Sequence, residues 1–146
     1  MLKRRFVFQL LAAPTLLGLG TAPAISFAQP TCLHYRGRIF IGGILTRQTF
    51  PGPPSYESIA RGDTPEIYYV LKVRPSTCVL GDSSDPDEPA IKTVTDVQLM
   101  LTGRDQYILL EHLIDKPIRL SGMLMAAHTG HHHTPVLLND VQLEPN

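Results

Sequence analysis

The chain has 146 residues, 13 basic and 13 acidic side chains, two cysteines and 43% hydrophobic residues. That length and apolar fraction suit one globular domain and argue against a disordered chain. Zero formal charge argues against a basic nucleic-acid-binding face, and two cysteines exclude both a disulfide-rich miniprotein and a cysteine-based zinc finger.

The first element reads as an address. Lys3, Arg4 and Arg5 precede a mostly apolar run, and Ser26 and Ala28 then meet the small-x-small rule for cleavage after Ala28. The apolar run falls short of the roughly 20 residues of a spanning helix. Residues 1–28 are therefore expected to be a cleaved signal peptide. Arg4-Arg5 followed by Phe6 and Phe8 leaves twin-arginine export open beside the general route. Residues 29–31 lack the pattern of a lipoprotein signal, so lipidation at Cys32 is not expected. Cleavage removes three of the 13 basic side chains and no acidic one, leaving a formal charge of −3. The expected location is the periplasm of a Gram-negative bacterium, with no membrane span after cleavage and no nucleic-acid partner.

In an oxidising compartment Cys32 and Cys78 are expected to pair. They form no C-x-x-C motif, so a thioredoxin-like role has no basis.

Residues 33–50 read as a long first strand, with Leu33, Tyr35, Ile39, Ile41 and Leu45 on one face and Gly42-Gly43 at a bend. Prolines 51, 53 and 54 end it, and residues 51–65 form a loop with a helical turn near 56–60. Residues 66–74 read as a second strand with Ile67, Tyr69, Leu71 and Val73 inward, stopped by Pro75. Residues 81–89 are an acidic, turn-rich loop without EF-hand spacing. A third strand is expected at 93–101, a helix at 104–115 from the spacing of Tyr107, Leu110, Leu113 and Ile114, a fourth strand at 118–124 and a fifth at 135–143.

Five strands with one helix between the third and fourth are the layout of a small OB-like barrel occupying residues 29–146. As antiparallel neighbours, the first two strands would bring Cys32 beside Cys78. Such barrels bind ligands on strands two and three and on the loops after strands one and four. The proline loop and the segment 126–134 should therefore face the same side.

That second segment holds His128, His131, His132 and His133. Neutral imidazole binds zinc, copper or nickel. In an extended chain His131 and His133 point one way and His132 the other. A hairpin bringing His128 back would complete a three-nitrogen site of His128, His131 and His133, with His132 in reserve. The competing reading is a polar hairpin turning at Gly130, and a third is an acid-sensitive cluster of mutually repelling imidazoles. Tyr35, Tyr68 and Tyr69 are expected in the core and at its rim. Arg36, Arg38, Lys72 and Arg74 are read as a solvated face. No catalytic motif is present: there is no nucleophile elbow, no phosphate-binding glycine loop, and nothing marks Asp63 and Glu66 as a tuned acid and base.

Segments 50–59 and 121–124, and above all Ala127-His128-Thr129-Gly130-His131-His132-His133-Thr134-Pro135-Val136-Leu137-Leu138, resemble a bacterial family of small exported proteins carrying a domain of unknown function. The resemblance implies a bacterial envelope protein and brings no activity, substrate or cofactor with it. The expected function is a non-enzymatic exported binding module, taking a transition metal through the histidine hairpin. The alternative is an envelope-protein-binding or inhibitor-type protein whose contact surface is loop 50–59 and the hairpin, with Phe50, Pro53 and Tyr56 as contacts.

Overall fold

The computed structural model describes residues 31–145. The leader and cleavage expectations lie outside them. The elements are β1 (Leu33–His34), β2 (Ile39–Pro51), a 3-10 turn (Ile59–Arg61), β3 (Pro65–Leu80), β4 (Ile91–Leu99), α1 (Arg104–Glu111), β5 (Pro117–Ala126) and β6 (Val136–Glu144).

Strands β2 to β6 close into a five-stranded barrel. Antiparallel ladders join β3 to β2, β2 to β5, β5 to β6 and β3 to β4. The last seam is parallel, with Val97, Gln98 and Leu99 of β4 opposite Val136, Leu137 and Leu138 of β6. This is the OB-like connectivity the strand order predicts. The pleat sends alternate residues inward. Ile39, Ile41 and Leu45 of β2 meet Tyr69, Leu71 and Val73 of β3, Val97 and Leu99 of β4, Leu120 and Leu124 of β5 and Leu138 of β6. Leu110 of α1 joins this core. Each fully buried leucine contributes about 1.5–3 kcal/mol relative to exposure.

Gly43 is required where β2 bends, because a Cβ there would sit 2.3 Å from the Lys72 carbonyl oxygen. Ordinary Cβ contacts are never that close, so the glycine lets β2 and β3 approach. Cys32 and Cys78 form a disulfide with Cα atoms 4.6 Å apart.

Several expectations need correction. The first strand is not continuous: the chain turns at residues 35–38, where Gly37 has φ +76°. The short β1 therefore runs parallel to the end of β3, Leu33 opposite Val79, rather than antiparallel. Counting β1, the helix lies between the fourth and fifth strands. Pro75 does not stop β3, which continues to Leu80. The ladder to β4 is irregular between Lys72 and Thr77, and the ladder to β2 has its last pair at Val73, so no partner needs the missing N–H of Pro75. Ile67 is exposed rather than inward. The helix ends at Glu111, short of the expected residue 115, and Leu113 and Ile114 lie against the core from the turn that follows.

Among the described residues no helix is long and apolar enough to cross a membrane.

Candidate functional site

The loop between β2 and β3 is built around one carboxylate. Asp63 is buried and accepts the backbone N–H groups of Ser55 at 2.8 Å, Glu57 at 2.7 Å and Ser58 at 2.7 Å. These hydrogen bonds, led by that of Ser58, hold its carboxyl below the ordinary range despite its burial. Backbone bonds from Gly52 N–H to Thr64 O and from Thr64 N–H to Pro53 O close the base of the loop. Tyr56 adopts a left-handed conformation, φ +59°, and its ring lies on Gly130 of the opposite loop. A Cβ on Gly130 would stand 2.8 Å from that ring.

The histidine loop, residues 127–135, joins β5 to β6 and is clamped to the outer face of β4. Gln98 is fully buried. Its Nε2 donates to the His131 carbonyl at 2.9 Å, and its Oε1 accepts the His133 N–H at 2.8 Å. One amide side chain thus satisfies two backbone groups of an irregular segment. Thr134 adds a third tie, its hydroxyl accepting the Gln98 N–H at 2.9 Å and donating to Val136 O at 2.6 Å.

The β2–β3 register supplies the rest. Phe50 stands opposite Glu66 and Gln48 opposite Tyr68. Glu66 Oε2 lies 2.9 Å from His131 Nδ1, 3.2 Å from the Tyr68 hydroxyl that donates to it, and 3.7 Å from His133 Nε2. The Tyr56 hydroxyl is 3.0 Å from His131 Nε2. One tautomer of neutral His131 serves both contacts, donating from Nδ1 to Glu66 and accepting at Nε2 from Tyr56. His133 stacks on Phe50 with ring centroids 4.3 Å apart and planes within 1°. Its side chain is only 9% exposed.

Burial alone would raise the Glu66 carboxyl, but the hydrogen bonds from His131 and Tyr68 and the charge of His131 outweigh it and hold the group low. Burial lowers His133, and Glu66 offsets part of that. Burial, then the neighbouring imidazoles, lowers His132. Tyr68 is pushed up to about 12 by burial and by the adjacent Glu66 charge.

The structure therefore brings together His131 and His133 but not His128. His128 turns to His132: its N–H donates to His132 Nδ1 at 3.1 Å, and the two rings meet edge to face at 4.5 Å. Strand-like alternation does put His131 and His133 on one side and His132 on the other, while the turn at 129–132 carries His128 to the side of His132. Phe50 and Tyr56 join the cluster, and Pro53 is exposed on the loop beside it. As the side chains stand, no three His, Cys, Asp or Glu among the described residues are arranged to hold a metal ion. Of the arginines and lysines read as a solvated face, Arg36 pairs with Asp82, Arg38 with Asp140 and Lys72 with Asp96.

Glu66, Tyr68 and Gln98 join the candidate site without having stood out in the sequence. The β2–β3 register is the signal that finds the first two, because it sets Glu66 across from Phe50 and Tyr68 across from Gln48. Gln98 shows only as a polar residue between inward Val97 and Leu99.

No curated protein and no solved structure matches the chain. Residues 96–142, which run from the end of β4 through the histidine loop into β6, match the model of a family described as a domain of unknown function (DUF4431).

Proposed function

We propose that the protein is an exported, non-enzymatic binding module that takes a transition-metal ion at Glu66, His131 and His133. One observation carries the reading. His133 Nε2 is buried and has no hydrogen-bond partner, yet it faces the carboxylate oxygen that His131 also approaches. An orphaned buried polar atom costs about 1–3 kcal/mol. A bound cation would relieve that cost.

The spacing suits such an ion after a small rearrangement. Tetrahedral ligands held about 2.0–2.1 Å from zinc stand roughly 3.4 Å from one another. The Glu66 oxygen is 2.9 Å from one imidazole nitrogen and 3.7 Å from the other. Binding requires Glu66 to give up its hydrogen bond with His131 and the exposed His131 ring to turn. Phe50 and the Gln98 clamp hold His133 still meanwhile. The disulfide supports an oxidising compartment, in line with the leader expected at residues 1–28.

The test is calorimetric titration of zinc, then copper and nickel, into metal-stripped residues 29–146. Stoichiometric binding should fall by more than roughly tenfold in Glu66→Gln and in His133→Ala. It should be indifferent to His128→Ala. Absent binding, or binding that ignores the first two substitutions, removes this reading.

The second reading is a protein partner in the envelope that contacts loop 50–59. It draws support from the exposure of Pro53, Pro54 and Ile59 at the tip of that loop. The Phe50 and Tyr56 rings pack on the histidine loop, which suits them less well as anchors. A partner retained in the presence of chelator, and lost with Ile59→Asp, would favour it.

A further inference from the structure

Beside the cluster, and sharing Phe50 and His133 with it, lies a cleft of about 250 Å³. Its walls include Gln48 and Phe50 of β2, Thr93, Thr95 and Asp96 of β4, and His133. We propose that this cleft binds a single saccharide ring, an uncharged ligand with hydroxyl groups on its edge and C–H groups on its face.

Size sets the first limit. Pockets for drug-sized ligands run about 300–1,000 Å³, so this one admits one ring and not a folded chain or a large cofactor. Charge sets the second. Asp96 is the one acidic wall residue, and Lys72 Nζ already lies 2.5 Å from its Oδ1. The pair leaves neither an unmet positive charge for an anion nor an unmet negative charge for a cation.

The remaining hydrogen-bonding capacity of the walls is mixed. Thr95 donates to Asp96 Oδ2 at 2.7 Å, and Gln48 Nε2 donates to Thr46 Oγ1 at 3.0 Å. Those bonds use the Thr95 hydroxyl proton and one of the two Gln48 N–H groups, and leave the second N–H, the Gln48 carbonyl and spare lone pairs of Asp96. A ligand whose groups both donate and accept meets that set. The Thr93 hydroxyl, exposed at the mouth, can act either way. The Phe50 ring supplies an apolar wall held in place by its stack on His133. A sugar ring matches those walls: hydroxyls that donate and accept around its edge and an apolar face for the aromatic ring.

Saturation-transfer NMR on residues 29–146 with chelator present provides the test, with N,N′-diacetylchitobiose and maltose as probes. Ring C–H protons of one or both disaccharides should receive saturation. Thr93→Tyr, which fills the mouth from an exposed position, and Gln48→Ala should each weaken transfer several-fold without lowering the melting temperature. No transfer from either sugar, or transfer unchanged in both variants, overturns the proposal. Because chelator is present throughout, failure here leaves the metal reading untouched, and failure of metal binding leaves this one untouched.

Discussion

Replacing Gln98 with leucine separates a clamped loop from one that merely rests on the barrel. The substitution nearly conserves volume, so the core beneath it is little disturbed. It removes two hydrogen bonds, the donor to His131 O at 2.9 Å and the acceptor of His133 N–H at 2.8 Å. An orphaned buried backbone group costs about 1–3 kcal/mol. His133 is half-buried and its N–H has little recourse to water, whereas exposed His131 can offer its carbonyl to solvent. One full penalty and part of a second give an expected loss of about 2–4 kcal/mol. Urea denaturation should show it as a lower midpoint at unchanged slope. The His131 and His133 ring resonances should also move, because the loop loses its tie to β4. A loss below about 0.5 kcal/mol, the scatter of ordinary surface substitutions, with unmoved histidine resonances would refute the clamp.

Four further outcomes follow from the structure. Removing the Cys32–Cys78 bridge by double alanine substitution should cost about 4 kcal/mol on the chain-entropy model for a loop closed over a separation of 46 residues, read from denaturation midpoints. Asp63→Asn should abolish the hydrogen-exchange protection of the Ser55, Glu57 and Ser58 amides. In the unmodified protein that protection should persist as pH falls through the ordinary aspartate range, because the folded carboxyl titrates lower than the unfolded one and its contribution is lost only below that range. In an ultraviolet titration one tyrosine should ionise near 12, and Tyr68→Phe should delete that phase. Since the unfolded chain releases this proton near 10, the same shift makes stability fall between about 10 and 12. His132 and His133 should both titrate below 6.5 by NMR, so acid costs stability as the pH drops through that value.

The barrel was legible because its signal is periodic. Leu45, Leu71, Val97 and Leu120 alternate with outward residues in four different strands, and pleat alone predicts their burial. Pro75 misleads because local preference is all that the sequence displays there. That preference is real, but its effect depends on whether a neighbouring strand needs a hydrogen bond there. No ladder partner stands opposite Pro75, so the proline is harmless. The site was half legible. Its histidines stand out by composition, and alternation separates His132 from its neighbours. Glu66 enters only through the antiparallel register, which links residues 16 apart and leaves no local mark in the chain. The position of His128 depends on a turn conformation that spacing does not encode.

The closing seam has a consequence for dissection of the chain. The matched segment, residues 96–142, holds both sides of the parallel β4–β6 seam and the whole of β5, but neither β2 nor β3. In the barrel, β5 pairs with β2 and β4 pairs with β3. Cut out alone, the segment would present two open sheet edges, with Val97, Leu120 and Leu138 bared on the face that the missing strands cover. Unpaired edges beside apolar side chains recruit other chains. A fragment trimmed to residues 96–142 should therefore self-associate, and the Gln98 clamp it carries would have no Phe50, Glu66 or Tyr68 against which to set the histidines.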